Sequence, residues 1–192
     1  MTMGVFSVMN FLLFYMGDVV KDFSVSGRVL ATTSEAALQN MLGLLLVLAI
    51  GSSLVAGMLS DRYGRKRIVY VAGGVQAVVA VGLILADNYL AVLLIGMLFG
   101  IGYGAYESVG WALATDVLPD MDDAARDMGI WHMALTVPQL VAPLVAGWLL
   151  DTFQAIGKES GRPTLGYTVI FSLAILYFSL GTLFVSKVKK AT

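Results

Sequence analysis

The sequence predicts an all-α polytopic membrane bundle with six transmembrane segments, the first of them truncated. Three observations predict it. First, only 13% of the 192 residues are charged and 58% are hydrophobic, against roughly 25% charged in an ordinary soluble domain. Second, five apolar stretches reach or nearly reach the roughly 20 helical residues that cross a hydrocarbon core of about 30 Å. Third, those stretches are continuous, whereas membrane β-strands would be about 10 residues long and alternate. The same numbers exclude a water-soluble globule, a disordered chain and a disulfide-built module, since there is no cysteine. With 12 basic against 13 acidic residues, a nucleic-acid partner reached through a basic field is excluded as well.

The elements follow in order. Residues 3–17 are apolar, but 15 residues make a helix of only about 22 Å, so this span is expected to be short, as if its front were missing. A cleaved signal peptide is the competing reading. Nothing basic precedes the stretch, and Asp18, Lys21 and Asp22 follow it where a small-residue cleavage site should stand. The full-length spans are residues 41–59, 68–86, 89–114, 131–150 and 165–185.

Orientation rests on Lys and Arg, which favour the cytoplasmic side. With the first span running outward, the inner segments hold Arg62, Arg65, Lys66, Arg67, Arg126, Lys187, Lys189 and Lys190, and the outer ones hold Lys21, Arg28, Lys158 and Arg162. A cytoplasmic C-terminus in a multi-pass cell-membrane protein is the expectation.

An internal echo organises the chain. Leu54-Val55-Ala56-Gly57-Met58-Leu59-Ser60-Asp61 ends the second span and Leu144-Val145-Ala146-Gly147-Trp148-Leu149-Leu150-Asp151 ends the fifth. Three spans separate the copies, so they point to opposite sides, the pattern of an inverted three-plus-three repeat with halves at about 1–87 and 88–192. Chance recurrence of Leu, Val, Ala and Gly in a membrane chain is the plainer alternative.

After the first copy the chain turns through Arg62-Tyr63-Gly64-Arg65-Lys66-Arg67. Gly64 permits a tight reversal, and the basic residues suit lipid phosphates and helix carbonyl ends. The string Gly57, Leu59, Asp61, Arg62, Gly64, Arg65, Lys66 resembles the signature loop between paired helices of the major facilitator superfamily. Later residues sharpen the likeness: Tyr103, Gly104, Tyr106, Ser108-Val109, Trp111-Ala112-Leu113 and Thr115 through Pro119, then Ala124-Ala125, Asp127-Met128-Gly129-Ile130-Trp131 and Pro138-Gln139. These look like the C-terminal half of a bacterial and fungal branch loosely akin to glycoside and cation symporters.

The resemblance implies that residues 1–192 are helices seven to twelve, and that the partner is an N-terminal six-helix half or a second copy. It implies a gate in which Asp61 caps a helix start on the other half while Arg62 and Arg65 pair with acids there. It also places Tyr15, Asn40, Glu107 and Gln139 on the inner faces of helices seven, eight, ten and eleven. The family pattern carries an acid where Gly110 stands, which this chain lacks.

In the fourth span, Gly96, Gly100, Gly104, Ser108 and Ala112 recur every four residues, a small-residue stripe along which another backbone approaches closely. Gly100, Gly102 and Gly104 do not read as a phosphate loop, having no preceding strand and no basic residue in the helix. Glu107 is the only acid well inside an apolar run, and a central acid costs about 2.5–3.5 kcal/mol on insertion scales. Tyr103, Gly104, Gly110 and Trp111 share its face. An acid flanked by aromatics suits a polar solute or a coupling proton; a packing carboxyl bonded to a neighbouring helix, or snorkelling to the interface, is the alternative.

In the fifth span, Pro138 and Pro143 each remove a backbone donor and Gln139 adds an amide. Such a helix lines a cavity or is a static kink in a packed bundle. His132, the sole histidine, is expected at the interface, and no metal site is expected. The acids Asp116, Asp120, Asp122, Asp123 and Asp127 lack the spacing of a calcium loop; Asp127 is expected to cap the following helix. No catalytic constellation appears. The expected function is secondary transport of a small polar solute, sugar-like or drug-like, by alternating access, with no cofactor beyond a coupling proton or cation. The other class left open is a non-transporting membrane scaffold or truncated product.

Overall fold

The computed structural model describes residues 1–116 and 124–187. Helices dominate throughout, and five of those described are long and apolar enough to cross a membrane, with a bent first pair making a sixth. The all-α membrane bundle expected from the sequence is therefore what the chain forms.

The first span differs from the single short helix expected over 3–17. It consists of α1 (Thr2–Met9), α2 (Leu12–Tyr15) and one π-helical turn (Met16–Val20), bent by 41° at the break. At the break the Phe6 carbonyl accepts both the Asn10 side-chain amide at 2.8 Å and the Asn10 backbone N–H at 3.3 Å. The helical path continues beyond the apolar run because its far end is tied down. The buried Tyr15 hydroxyl lies within hydrogen-bond distance of the Leu83 and Ala86 carbonyls, at 2.9 and 2.7 Å, and shares its one proton between them, and the Tyr167 hydroxyl donates to the Asp18 carboxylate.

A small hairpin unforeseen in the sequence follows. β1 (Ser24–Val25) pairs antiparallel with β2 (Arg28–Val29) across Ser26 and Gly27, both at positive φ, which matches the right-handed twist of paired strands. Phe23 rests edge-on against Tyr89, with ring centroids 5.4 Å apart.

Helix α3 (Ser34–Tyr63) begins before the apolar run at 41–59. Thr33 caps it, its hydroxyl accepting the Ala36 N–H at 3.3 Å. Gly64, at φ 89°, ends α3 and starts α4 (Arg65–Leu85); α5 (Tyr89–Asp116) opens on Asn88, whose side chain accepts the Ala91 N–H at 2.9 Å.

Helix α6 (Ala124–Glu159) is far longer than the expected 131–150. Apolarity marks the part of a helix suited to hydrocarbon, while the helix itself runs on through polar residues. Gln154 pins this extension, donating to the Pro163 carbonyl and accepting the Gly166 N–H at 3.2 Å. Consequently Asp151 does not end its helix as Asp61 nearly ends α3. Asp127 lies within the first turn of α6, one residue from Arg126, which it pairs at 3.5 Å, so it is not the cap expected. Helix α7 (Leu165–Val185) has the expected bounds.

Helix α5 packs between α3 and α4; α4 packs on α7, and α7 on α6 and α1. The core runs through Met41, Leu45, Tyr89, Ile170, Phe171 and Phe178. Elsewhere large apolar side chains point outward, including Val47, Leu144 and Trp148, as suits helices whose outer solvent is lipid.

Candidate functional site

Two regions carry the polar chemistry. The first is the turn joining α3 to α4. Ser60 is buried, and its hydroxyl donates to the Gly57 carbonyl at 2.7 Å. The Gly64 N–H donates to the Ser60 carbonyl at 3.0 Å, closing the helix, and the positive φ of Gly64 then reverses the chain. Residues Ser60 through Arg65 and Arg67 border one open depression. Asp61, Arg62, Tyr63 and Arg67 are exposed along it, while Arg65 and Lys66 are partly covered. A Cβ on Gly57 would sit 3.6 Å from the Ser108 hydroxyl, so the turn is braced against α5.

The second region is built on α5. Its small-residue stripe faces α3: a Cβ on Gly96 would press on Met41, one on Gly100 would overlap the Leu45 carbonyl oxygen, and one on Gly104 would overlap that of Ala49. With that face closed against α3, the neighbouring face turns Tyr106, Glu107, Gly110 and Trp111 toward Trp131 and Leu135 of α6, and these six residues line a narrow cleft of about 10 Å³. Glu107 is half-buried there and its carboxyl interacts with the Trp111 side chain one turn on. Trp111 meets Trp131 at 6.5 Å between ring centroids and 65°, and His132 at 5.5 Å and 66°. The Trp131 indole N–H is buried and has no acceptor. Tyr103, a turn before Glu107, stacks on Phe99 at 6.0 Å and 16°.

The structure thus brings Glu107, Trp111 and Gly110 together and leaves others apart. Gln139 is exposed on α6 and does not line the cleft; Pro138 and Pro143 lie inside α6, partly buried. Asn40 donates to the Leu30 carbonyl at 3.0 Å, beside the hairpin. Tyr15 is 2% exposed, its hydroxyl reaching the carbonyls at the end of α4, and it borders a separate hollow with Tyr167 and Phe171. His132 is exposed, with Nδ1 3.1 Å from the Met128 carbonyl. No cluster of His, Cys, Asp and Glu among the described residues is arranged to hold a metal. Asp120, Asp122, Asp123, Lys189 and Lys190 lie outside the described residues.

Sequence reasoning missed Gln76 and Trp131. Gln76 is 2% exposed, its amide donating to the Phe99 carbonyl at 3.4 Å while Oε1 has no donor. A lone amide in the apolar run 68–86 was the available signal. Trp131 gave none, since a tryptophan at a span boundary reads as an interfacial anchor.

Comparison with known proteins adds a consistent picture. The family model of the Major Facilitator Superfamily matches residues 1–191. The chain is 28% identical over 138 residues to the uncharacterised MFS-type transporter YfkL of Bacillus subtilis, covering 72% of this chain and 33% of that protein. It is 33% identical over 101 residues to the uncharacterised MFS-type transporter MT1926 of Mycobacterium tuberculosis, covering 51% of this chain and 14% of that one. With the uncharacterised MFS-type transporter MJ1317 of Methanocaldococcus jannaschii it shares 29% identity over 97 residues, 50% of this chain and 24% of the relative. The matched stretches therefore span a third or less of these relatives.

Proposed function

The chain belongs to the major facilitator superfamily, and from that premise we propose that it is one six-helix half of a secondary transporter that moves a small polar solute by alternating access. The observation that carries the proposal is the Glu107 carboxyl, half-buried inside a membrane span and set in a cleft between α5 and α6. Burying an acid in a span is costly, and substrate and proton pathways are where such acids repay it. Glu107 and Trp111 contact the solute or a coupling proton, and Tyr103 supports them; Gln139 joins from the exposed face of α6 once the other half is in place.

In this reading residues 1–192 are the C-terminal half, built of inverted repeats at about 1–87 and 88–192. The turn at Asp61, Arg62, Gly64, Arg65 and Lys66 is cytoplasmic, as is the C-terminus, and its exposed groups dock on the N-terminal half or on a second copy. The close seam along Gly96, Gly100 and Gly104 supports movement of α3 and α5 as one rigid pair, since backbones in such contact have no room to slide. The proteins it matches are named as transporters, which agrees with transport over scaffolding.

The test is uptake into proteoliposomes by the intact transporter that contains this chain. Saturable, gradient-driven uptake that Glu107→Gln lowers at least tenfold, in a protein that still folds, is expected. Uptake unchanged by the substitution removes Glu107 from the pathway.

A further inference from the structure

We propose that the hollow between the end of α4 and the start of α7 binds a primary ammonium group, with the Asp87 carboxylate as its counter-ion. The hollow holds about 250 Å³ and lies at the end of the bundle opposite the α3–α4 turn. It is separate from the Glu107 cleft and stands apart from the transport reading.

Charge selects a cation. Among the lining residues Asp87 is the only charged one, with no Lys, Arg or His beside it. Leu83 through Ala86 border the same space and α4 ends there, so its last carbonyls present the negative end of the helix dipole. The Asp18 carboxylate, partner of the Tyr167 hydroxyl, adds a second negative charge nearby. Lys21 and Arg162, on the adjoining loops, are exposed and outside the lining.

Hydrogen bonding narrows the cation to one that carries N–H donors. Tyr15 shares its hydroxyl proton between the Leu83 and Ala86 carbonyls at 2.9 and 2.7 Å, Tyr167 gives its proton to Asp18, and Thr168 gives its proton to the Thr164 carbonyl at 3.3 Å. What these three hydroxyls turn to the hollow is lone pairs. Thr164, which makes no side-chain cap to α7, is the lining hydroxyl left to donate. A primary ammonium brings three donors and no acceptor, whereas each hydroxyl of a polyol brings two lone pairs with its one proton. A quaternary ammonium brings no N–H at all. The acceptors are also held in place beforehand, since Tyr15 and Tyr167 are each 2% exposed and the Tyr15 ring meets Tyr167 and Phe171 edge-on at 5.5 and 5.3 Å. Such preorganisation lowers the cost of binding.

Size admits more than a bare ion. A water takes up roughly 30 Å³, so about 250 Å³ accommodates the ammonium together with a short chain. At the rim, Leu85 is exposed, and Val78 and Val81 are exposed below it on the same face of α4, an apolar track along which an acyl chain could leave. The same ammonium chemistry is offered by the headgroup of phosphatidylethanolamine and by a free primary amine.

The experiment has one arm for each source, both on the intact protein that contains this chain. In the first, the protein is equilibrated with equal amounts of palmitoyl-oleoyl phosphatidylethanolamine and phosphatidylcholine, and the retained lipid is counted by native mass spectrometry. In the second, ethanolamine and choline are titrated calorimetrically against the protein in phosphatidylcholine nanodiscs. The primary amine is expected to be preferred at least fivefold. Preference in the lipid arm alone assigns the site to a headgroup, and preference in the soluble arm assigns it to free amines. In either arm Asp87→Asn should bring the ratio close to one and Asp87→Glu should keep most of it. Asp151→Asn, at an exposed acid outside the hollow, should leave it unchanged. Helical content and melting temperature confirm that each variant is folded. No preference in either arm, a preference unmoved by Asp87→Asn in a folded protein, or displacement of the amine by sodium at equal concentration overturns the proposal.

Discussion

Gly100 of α5 lies so close to Leu45 of α3 that a Cβ at position 100 would overlap the Leu45 carbonyl oxygen. Four residues on, Gly104 stands in the same relation to Ala49, so two consecutive turns of α5 are fitted to the backbone of α3. Carbonyls cannot turn aside as a side chain does, and the helices must separate to admit even a methyl group. Gly100→Ala and Gly104→Ala should each destabilise the bundle by about 1–3 kcal/mol, the usual range for overpacking. Gly51→Ala on α3, where a Cβ meets nothing within 4 Å, should instead be neutral or stabilising by about 0.5–1 kcal/mol. Melting temperatures in detergent, measured side by side, check the contrast; equal effects at the three positions would remove the seam.

Tyr15 is the second stability test. Its hydroxyl serves the Leu83 and Ala86 carbonyls at the end of α4, and its ring meets Tyr167 and Phe171 edge-on at 5.5 and 5.3 Å. Tyr15→Phe keeps the ring and removes the one donor that the two carbonyls share, at a cost of about 1–3 kcal/mol. Tyr15→Ala should cost more, about 3–5 kcal/mol for loss of a buried aromatic. Because Tyr15 is buried in this half, transport by folded Tyr15→Phe should keep its apparent substrate affinity. A shifted affinity with an unchanged melting temperature would return Tyr15 to the pathway.

What was legible in the sequence divides by the range of the interaction that decides it. Span number and helix class follow from hydropathy, which is a property of each residue. The stripe of Gly96, Gly100 and Gly104 was legible because spacing alone puts three missing side chains on one face. The bend at Asn10 was not, since no proline or glycine stands at the break to mark it. Nor was the burial of Tyr15, because its carbonyl partners lie 68 and 71 residues away. The long polar extension of α6 escaped a reading based on apolarity, as it is held by Gln154 reaching the following loop. At the candidate site, Glu107 and Trp111 were found through helical spacing on α5, but Trp131 and Leu135 come from another helix, and no pattern in the chain announces that pairing.

The absence of cysteine makes topology directly testable. Tyr63, exposed in the turn between α3 and α4, and Gly161, exposed between α6 and α7, are separated by three spans and should lie on opposite sides of the membrane. Tyr63→Cys should be labelled by an impermeant thiol reagent only from the cytoplasmic side, and Gly161→Cys only from the outer side. Gly161 has φ 71°, so its substitution carries local strain, and Ser160→Cys serves as a second outer reporter. Labelling of both loops from one side would break the six-span path; an exchange of sides would invert the bundle.

The last prediction concerns where the acid sits. Glu107 and Gly110 line the same cleft, three residues apart on one helix face. A Cβ on Gly110 would meet nothing within 4 Å, so the position has room for a side chain that Gly100 and Gly104 lack. A shorter acid placed there projects into the same space from one turn further along, still between Trp111 and the α6 wall. Glu107→Gln should lower uptake at least tenfold with little loss of stability, because the amide keeps the shape of the side chain. Adding Gly110→Asp to Glu107→Gln should restore much of the uptake, while Gly110→Ala in the same background should restore none. That comparison separates charge from helix propensity, since both substitutions remove a glycine from the helix and only one supplies a carboxylate. Rescue by aspartate alone assigns the function to a negative charge in the cleft. Failure of the aspartate in a folded, inserted protein would mean that the geometry at residue 107 is required, or that the carboxyl of Glu107 serves packing rather than transport.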